Sequence, residues 1–306
     1  MNLEFLLPLL AAAVQSGTPI LYATLGEIFT EKSGILNLGI EGIMMVGALA
    51  GFVTSKLTGS PILGFFIGGC AGALVASLHG LVCLSFQGNQ VVSGLALTIF
   101  GIGLADYLGT PFIGQRAPGF SQMPLPILSE IPFFGPVLFN HDPLVYTSYL
   151  IPPLMWIFFR YTRWGLGVRA VGEYPQAAYA GGLRVVGYRW AGILVGGYLV
   201  GLGGAYLSLA YTHLWTNGLS AGRGWIAVAL VIFAFWNPMR AVIGAYLFGG
   251  VMAFQLRLQA AGTHIPSSLL LMLPYGLTVI VLIFSSWKGQ GIDAPAALGI
   301  NVEPSE

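Results

Sequence analysis

Apolar stretches of about 20 residues recur along nearly the whole chain, each long enough to cross roughly 30 Å of hydrocarbon as a helix. Composition points the same way: of 306 residues, 56% are hydrophobic and 8% charged, against roughly 25% charged in a soluble domain. The 12 Lys and Arg and 11 Asp and Glu are too few to coat a soluble body of this size. Glycine is abundant at 44 residues, and within apolar stretches small residues let membrane helices approach closely. The net charge of +1 argues against nucleic acid or any other polyanion as a partner. Cys70 and Cys83 lie in one apolar stretch and offer neither a disulfide framework nor a thiol metal site. The N-terminus has Glu4 where a cleaved leader would be basic, so residues 3–25 are expected to stay in the mature protein.

The hydrophobic segments run over about 3–25, 39–55, 62–86, 91–108, 144–159, 190–211, 224–236, 241–256 and 268–285. The expected fold is an all-α polytopic membrane protein of about nine transmembrane helices, forming one domain over residues 1–306. Residues 109–143 are rich in proline and aromatics and are expected to form an ordered extracytoplasmic cap. Residues 160–189 carry Arg160, Arg163, Arg169, Arg184 and Arg189 against the single acid Glu173, which makes that loop cytoplasmic by the positive-inside bias. Alternation from this anchor also places Lys32, Arg240 and Lys288 inside, and leaves Lys56, Arg116, Arg223 and Arg257 outside. The N-terminus then lies outside and the C-terminus inside.

A weak internal echo runs through the chain. GFFIGG at 64–69 follows the glycine-broken helix start at Gly39 and Gly42. AYLFGG at 245–250 follows a similar start at Gly222 and Gly224. The copies lie an odd number of spans apart and would have opposite orientations, as inverted repeats in transporters do; chance matching of glycine-rich text is the competing account.

Three runs interrupt the apolar text. EKSGILNLGIEG, Glu31 to Gly42, cannot be a continuous lipid-facing helix. Asn37 is placed to cap a helix beginning at Leu38, with Glu41 at the positive end of its dipole. Either the two residues only cap a re-entrant helix, or that helix borders a path or gate. GLGVRAVGEYPQAAYAGGL, Gly165 to Leu183, breaks at Pro175 before a short helix whose surface is nearly bare, which suits docking into another protein's groove. In AGRGWIAVALVIFAFWNP, Arg223 sits between glycines at a helix start, where it either snorkels to headgroups or lines the mouth of a path. Trp236 there stands at the depth expected of an interfacial anchor.

Other chemistry is sparse. His79, His141, His213 and His264 form no metal-ligand pattern, and interfacial hydrogen bonding is the expected role. Asp106 is a lone acid near a segment end. The chain contains no Gly-Lys pair, hence no GxxxxGK[ST] phosphate loop, and no nucleophile elbow or metalloprotease helix.

Taken together, EKSGILNLGIEGIMMVGA, the RAVGE-x-P-x-AA core at 169–178 and GRGWIAVALVIFAFWNP resemble the permease subunits of ATP-binding-cassette importers for nucleosides and simple sugars. These belong to the branched-chain amino acid/ribose-type permease family. The resemblance spans about Gly26 to Lys288. It implies that the loop at 160–189 seats in a separate ATPase through Arg169, Gly172, Glu173, Pro175, Ala177, Ala178 and Gly181. Asn37, Glu41 and Arg223 become candidates for the path or gate. It further implies ATP and magnesium bound by partner ATPase subunits and not by this chain, a second, longer permease, and an extracytoplasmic binding (lipo)protein. The setting would be the lipid of a prokaryotic cell membrane. Tyr174, Tyr179 and Phe235 depart from the family pattern and weaken any substrate assignment. A rival class is a secondary carrier or channel coupled through Asp106, Glu41 or a histidine. The arginine-rich, small-residue loop speaks against it, since a stand-alone carrier has no need of one.

Overall fold

The computed structural model describes residues 3–262, 266, 269–270, 272–287 and 294–301. Lys288, His264 and part of the ninth hydrophobic segment lie outside the described residues.

Twelve helices are described: α1 Leu3–Lys32, α2 Ile40–Thr58, α3 Pro61–Gly80, α4 Gln90–Gly109, α5 Phe134–Leu138 and α6 Pro143–Tyr161 form the first half of the chain. α7 Arg163–Glu173, α8 Pro175–Ala180, α9 Val185–Tyr206, α10 Arg223–Phe233, α11 Pro238–Ala260 and α12 Leu273–Trp287 form the second. Single π turns extend α3 over Leu81–Ser85 and α9 over Leu207–Tyr211. Several starts share one sequence device. Ser60-Pro61, Asp142-Pro143 and Asn237-Pro238 each pair a side-chain cap on a free backbone N–H with a proline whose missing N–H costs nothing in the first turn.

Among the described residues, six helices are long and apolar enough to cross a membrane, beginning at Leu6, Ile40, Pro61, Gln90, Val185 and Pro238. The seventh expected segment, 224–236, gives only the 11-residue α10. At 1.5 Å per residue that is about 16 Å, half of a hydrocarbon core. α6 has 19 residues and the described part of the last helix, α12, has 15.

α1 runs seven residues past its apolar stretch because Glu27, Thr30 and Glu31 are buried in protein instead of facing lipid. It ends at Lys32 in a turn through Gly34, whose φ of +89° an L side chain resists. α9 lies at the centre, packed on α1, α2 and α3. Its seams depend on bare glycine. A Cβ on Gly201 would lie 2.5 Å from Gly68 O, and one on Gly47 would lie 2.5 Å from Gly201 O. α3 and α4 are far less covered and turn Leu74, Val92 and Ile99 outward.

The loops gather at two ends. Gly114 N donates to Trp215 O (2.9 Å), Phe120 N to Leu209 O (2.9 Å) and Ser55 Oγ to Pro118 O (2.6 Å), so the 109–143 connection is an ordered cap on one end. At the other end lie the 33–39 turn, the 86–89 loop, the α7–α8 hairpin and residues 294–301, joined by hydrogen bonds described below. This is the grouping that strict alternation requires.

Candidate translocation and coupling site

The chain leaves α1 at Lys32, folds back along it, and starts α2 beside α1's own last turns. Asn37 N donates to Glu27 Oε1 at 3.0 Å, which fixes the re-entry about one and a half turns above the end of α1. Asn37 is not the helix cap expected of it: its Oδ1 accepts from Gly39 N at 2.8 Å, and α2 begins at Ile40 with no side-chain cap. The short amide reaches two residues on and closes a turn, which delays the helix.

From the opposite end, residues 216–222 descend into the bundle and α10 begins against α2. Glu41 joins the two starts. Its Oε1 accepts from Ser220 Oγ (2.6 Å) and Gly222 N (2.8 Å), and its Oε2 from Gly224 N (2.6 Å). One carboxylate therefore sits in the first turn of α2 and satisfies the orphan N–H groups of α10. The glycines are needed at this junction. Gly222 has a φ of +80°, and a Cβ on Gly224 would lie 2.6 Å from Glu41 Cα.

Arg223 is 6% exposed. The expectation that it snorkels to headgroups is overturned, because 216–222 carry it inward. Its Nη1 donates to Ser220 O (3.0 Å) and its guanidinium lies 5.2 Å from the Tyr211 ring centroid, while Nε finds no partner among the described residues. Asn37, Glu41 and Arg223 thus belong to one buried neighbourhood where two broken helices meet.

Sequence reasoning passed over a second pair. Glu27 and Glu31, one helical turn apart on α1, lie on the same side of the helix and are both buried. Glu27 holds the entry to α2 through Asn37, and Glu31 accepts from Trp236 Nε1 just beyond α10. Trp236 is 4% exposed and is no interfacial anchor. It sits in a corner where Phe235 and Trp236 both adopt left-handed φ values, +51° and +52°. Two acids at i and i+4 just beyond the first apolar stretch were the available signal.

The arginine-rich loop folds as the α7–α8 hairpin. Gly172, Pro175 and Ala178 are buried, and Ala178 packs with Val171 and Val185. Arg169, Glu173, Ala177 and Gly181 are exposed. The bare surface read from the sequence is thus divided, one part serving the hairpin's own packing and the other left exposed. α7 touches α1 directly, since a Cβ on Gly172 would collide with Lys32 O. A polar cavity of about 350 Å³ opens beside it, bounded by Lys32, Arg160, Arg169, Glu173 and the Phe235–Pro238 corner.

The remaining polar residues have structural partners. His79 bridges Leu36 O and Ser93 Oγ, both at 3.0 Å, and Asp106 Oδ1 accepts from Gly218 N at 3.2 Å. Burial lowers the pKa of His141 and raises that of Asp142, against the hydrogen bonds Asp142 receives as the cap of α6. Among the described residues no group of three or more His, Cys, Asp or Glu is placed to hold a metal.

Broken helices that meet deep inside a bundle of membrane-spanning helices are a feature of solute transporters. Residues 9–282 match the family described as branched-chain amino acid transport system/permease component, and the chain belongs to that family. It is 44% identical over 262 residues to the putative glucose ABC transporter permease protein TsgC13 of Haloferax volcanii, covering 84% of this chain and 80% of that one. It is 36% identical over 300 residues to the nucleoside ABC transporter permease protein NupC of Lactococcus lactis, covering 93% of each. The guanosine ABC transporter permease protein NupQ of Bacillus subtilis is 30% identical over 305 residues, covering 94% of each. No solved structure matches significantly. The chain is a multi-pass membrane transport subunit and not an enzyme.

Proposed function

We propose that this chain is the transmembrane permease of an ATP-driven importer for an uncharged polar solute, a nucleoside first and a simple sugar next. The observation that carries the proposal is the physical link between the two candidate regions. α1 contacts the α7–α8 hairpin at Gly172 and, through Glu31 and Glu27, holds the end of α10 and the entry to α2. A force on the hairpin reaches both broken helices through one rigid rod.

In this reading residues 1–306 form one permease domain of nine crossings. Residues 216–222 and α10 together make the seventh, and the starts of α2 and α10 are corresponding points of an inverted repeat. Partner ATPase subunits bind ATP and magnesium and engage the cytoplasmic 160–189 loop. Arg169, Glu173, Ala177 and Gly181 form the contact face, while Gly172, Pro175 and Ala178 hold its shape. A second, longer permease completes the pore, and an extracytoplasmic binding (lipo)protein delivers solute through the 109–143 side. The complex works by alternating access in a prokaryotic cell membrane, with Asn37, Glu41 and Arg223 at the gate. The names of the relatives support the solute class, two of them nucleoside or guanosine permeases and one a putative glucose permease.

The test is uptake of labelled guanosine and glucose into liposomes holding the full complex, with and without ATP. ATP-dependent uptake of either, suppressed by the unlabelled form of the same solute, supports the reading. Transport by this chain alone would overturn it in favour of a carrier or channel.

A further inference from the structure

Residues 294–301 lie across the end of the bundle that carries the α7–α8 hairpin, and nothing in the family resemblance gives them a role. They are not a loose cover. Ala296 N donates to Glu173 Oε2 (3.2 Å) and Ala297 N to Gly172 O (2.9 Å), so the segment starts on the hairpin. Gly299 N donates to Gly34 O (3.2 Å) in the turn between α1 and α2. Ile300 O accepts from Arg189 Nη1 (2.8 Å) on α9. Asn301 Nδ2 then donates to Gln87 O (2.8 Å) and Gly88 O (3.0 Å) between α3 and α4. Its Oδ1 accepts from Gln90 Nε2 (2.9 Å), while Gln90 Oε1 holds Leu36 N (2.8 Å) just ahead of α2.

Burial makes these contacts matter. Ala297 is 5% exposed, and Arg189 lies under the segment at 1% exposed. Among the described residues the Nε and Nη2 atoms of Arg189 have no partner, so Ile300 O is the one acceptor its guanidinium engages there. A buried cation with so few bonds depends strongly on each of them. Lifting the segment would also unpair the Asn301 contacts that fix the α3–α4 loop relative to Gln90, and through it the entry to α2.

We propose that residues 296–301 are a transmission strap, with Asn301 and Arg189 as its positioning residues, that carries movement of the coupling hairpin to the 33–37 turn ahead of the gate helix α2. It acts in parallel with the direct contact of α7 on α1. The proposal rests on the coupling role assigned above to the 160–189 loop. The strap adds no affinity for the ATPase; it sets how much solute moves for each ATP spent.

The experiment uses the complete importer in liposomes, measuring uptake, ATP hydrolysis and recovery of the ATPase with the permease. ATP-driven uptake by the wild-type complex secures the underlying reading before any variant is judged. Asn301→Ala and a chain ending at residue 293 are compared with Ile300→Ser, whose side chain is 53% exposed and takes no part in the strap's bonds. The expected result for Asn301→Ala is normal complex recovery and normal basal hydrolysis, with solute moved per ATP reduced roughly fivefold, the scale set by losing a buried hydrogen bond or two. The shortened chain, which also strips Arg189 of its acceptor, is recovered in lower yield and shows at least the same fall in solute moved per ATP. Ile300→Ser keeps the wild-type ratio. An unchanged ratio in Asn301→Ala and in the shortened chain would overturn the proposal. So would loss of the ATPase from the Asn301→Ala complex, because the segment would then be part of the docking surface.

Discussion

Glu41→Gln removes one charge and leaves the side chain's size almost unchanged, which makes it a direct test of the helix-start junction. In the native site three donors converge on two oxygens at 2.6–2.8 Å. The amide keeps one oxygen, which serves Ser220 Oγ and Gly222 N if it takes the Oε1 position. Its NH2 group then faces Gly224 N, donor against donor. A buried donor left unpaired costs about 1–3 kcal/mol. Loss of negative charge beside two helix N-termini costs about 0.3–1 kcal/mol at each. The sum, about 2–5 kcal/mol, is large beside the marginal stability of folded proteins. The expected outcome is a thermal midpoint in detergent lowered by several degrees, with ATP-driven uptake reduced by more than the loss of folded complex explains. Glu41→Asp keeps the charge but withdraws it by one methylene, so it should retain more stability than Glu41→Gln. A Glu41→Gln protein with wild-type midpoint and wild-type uptake would refute the assignment of Glu41 as the shared anchor of α2 and α10.

Three further outcomes follow from the same geometry. Ala177→Phe, on the exposed side of α8, should leave the permease folded while reducing ATPase co-purification, whereas Ala178→Phe must fit between Val171 and Val185 and should destabilise the hairpin by about 1–3 kcal/mol; equal behaviour of the two in thermal stability and pull-down would refute the division of faces. In a background lacking Cys70 and Cys83, an impermeant thiol reagent applied outside cells, or spheroplasts where there is an outer membrane, should label a cysteine at Gln122 and spare one at Tyr174; labelling of position 174 would reverse the orientation. Gly201→Leu should abolish recovery of monodisperse protein, because its Cβ alone would meet Gly68 O at 2.5 Å; normal recovery would show that the α3–α9 seam is looser than described.

The sequence disclosed the helical membrane class because that follows from the solvent: runs of apolar residues of spanning length have few other solutions. It also showed where the irregular backbone lies, since Gly34, Asn37, Gly39, Gly222 and Gly224 break apolar text whatever packs around them. Which residues meet could not be read there. Glu41 and Gly224 are 183 positions apart, and no local rule pairs them. Arg223 was placed at an outer mouth because its neighbours in sequence are loop-like; the chain spends 216–222 descending, and that depth is a tertiary fact. The coupling hairpin was visible as composition, but the burial of Ala178 against Val171 and Val185 depends on the α7–α8 angle. The strap at 296–301 was invisible for a plainer reason. Apart from those of the Asn301 side chain its hydrogen bonds are made by its backbone, so its residue types carry little signal.

Three of the chain's eleven acids, Glu27, Glu31 and Glu41, are buried around the two broken helices. A buried carboxyl group is unfavourable unless donors surround it, and an apolar residue at any of these positions would avoid the desolvation cost. What an apolar residue cannot do is hold backbone N–H groups that no helix satisfies. Asn37 N, Gly222 N and Gly224 N all lie at breaks in helices, and each takes one of these carboxylates as acceptor. The acids are therefore a consequence of the breaks. A continuous α2 and α10 would need none of them, but would also lack ends able to separate and rejoin. Glu27 and Glu41, which make the broken helices tolerable in an apolar bundle, and Glu31, which holds Trp236 just beyond α10, are thus the contacts that must change if those helices move.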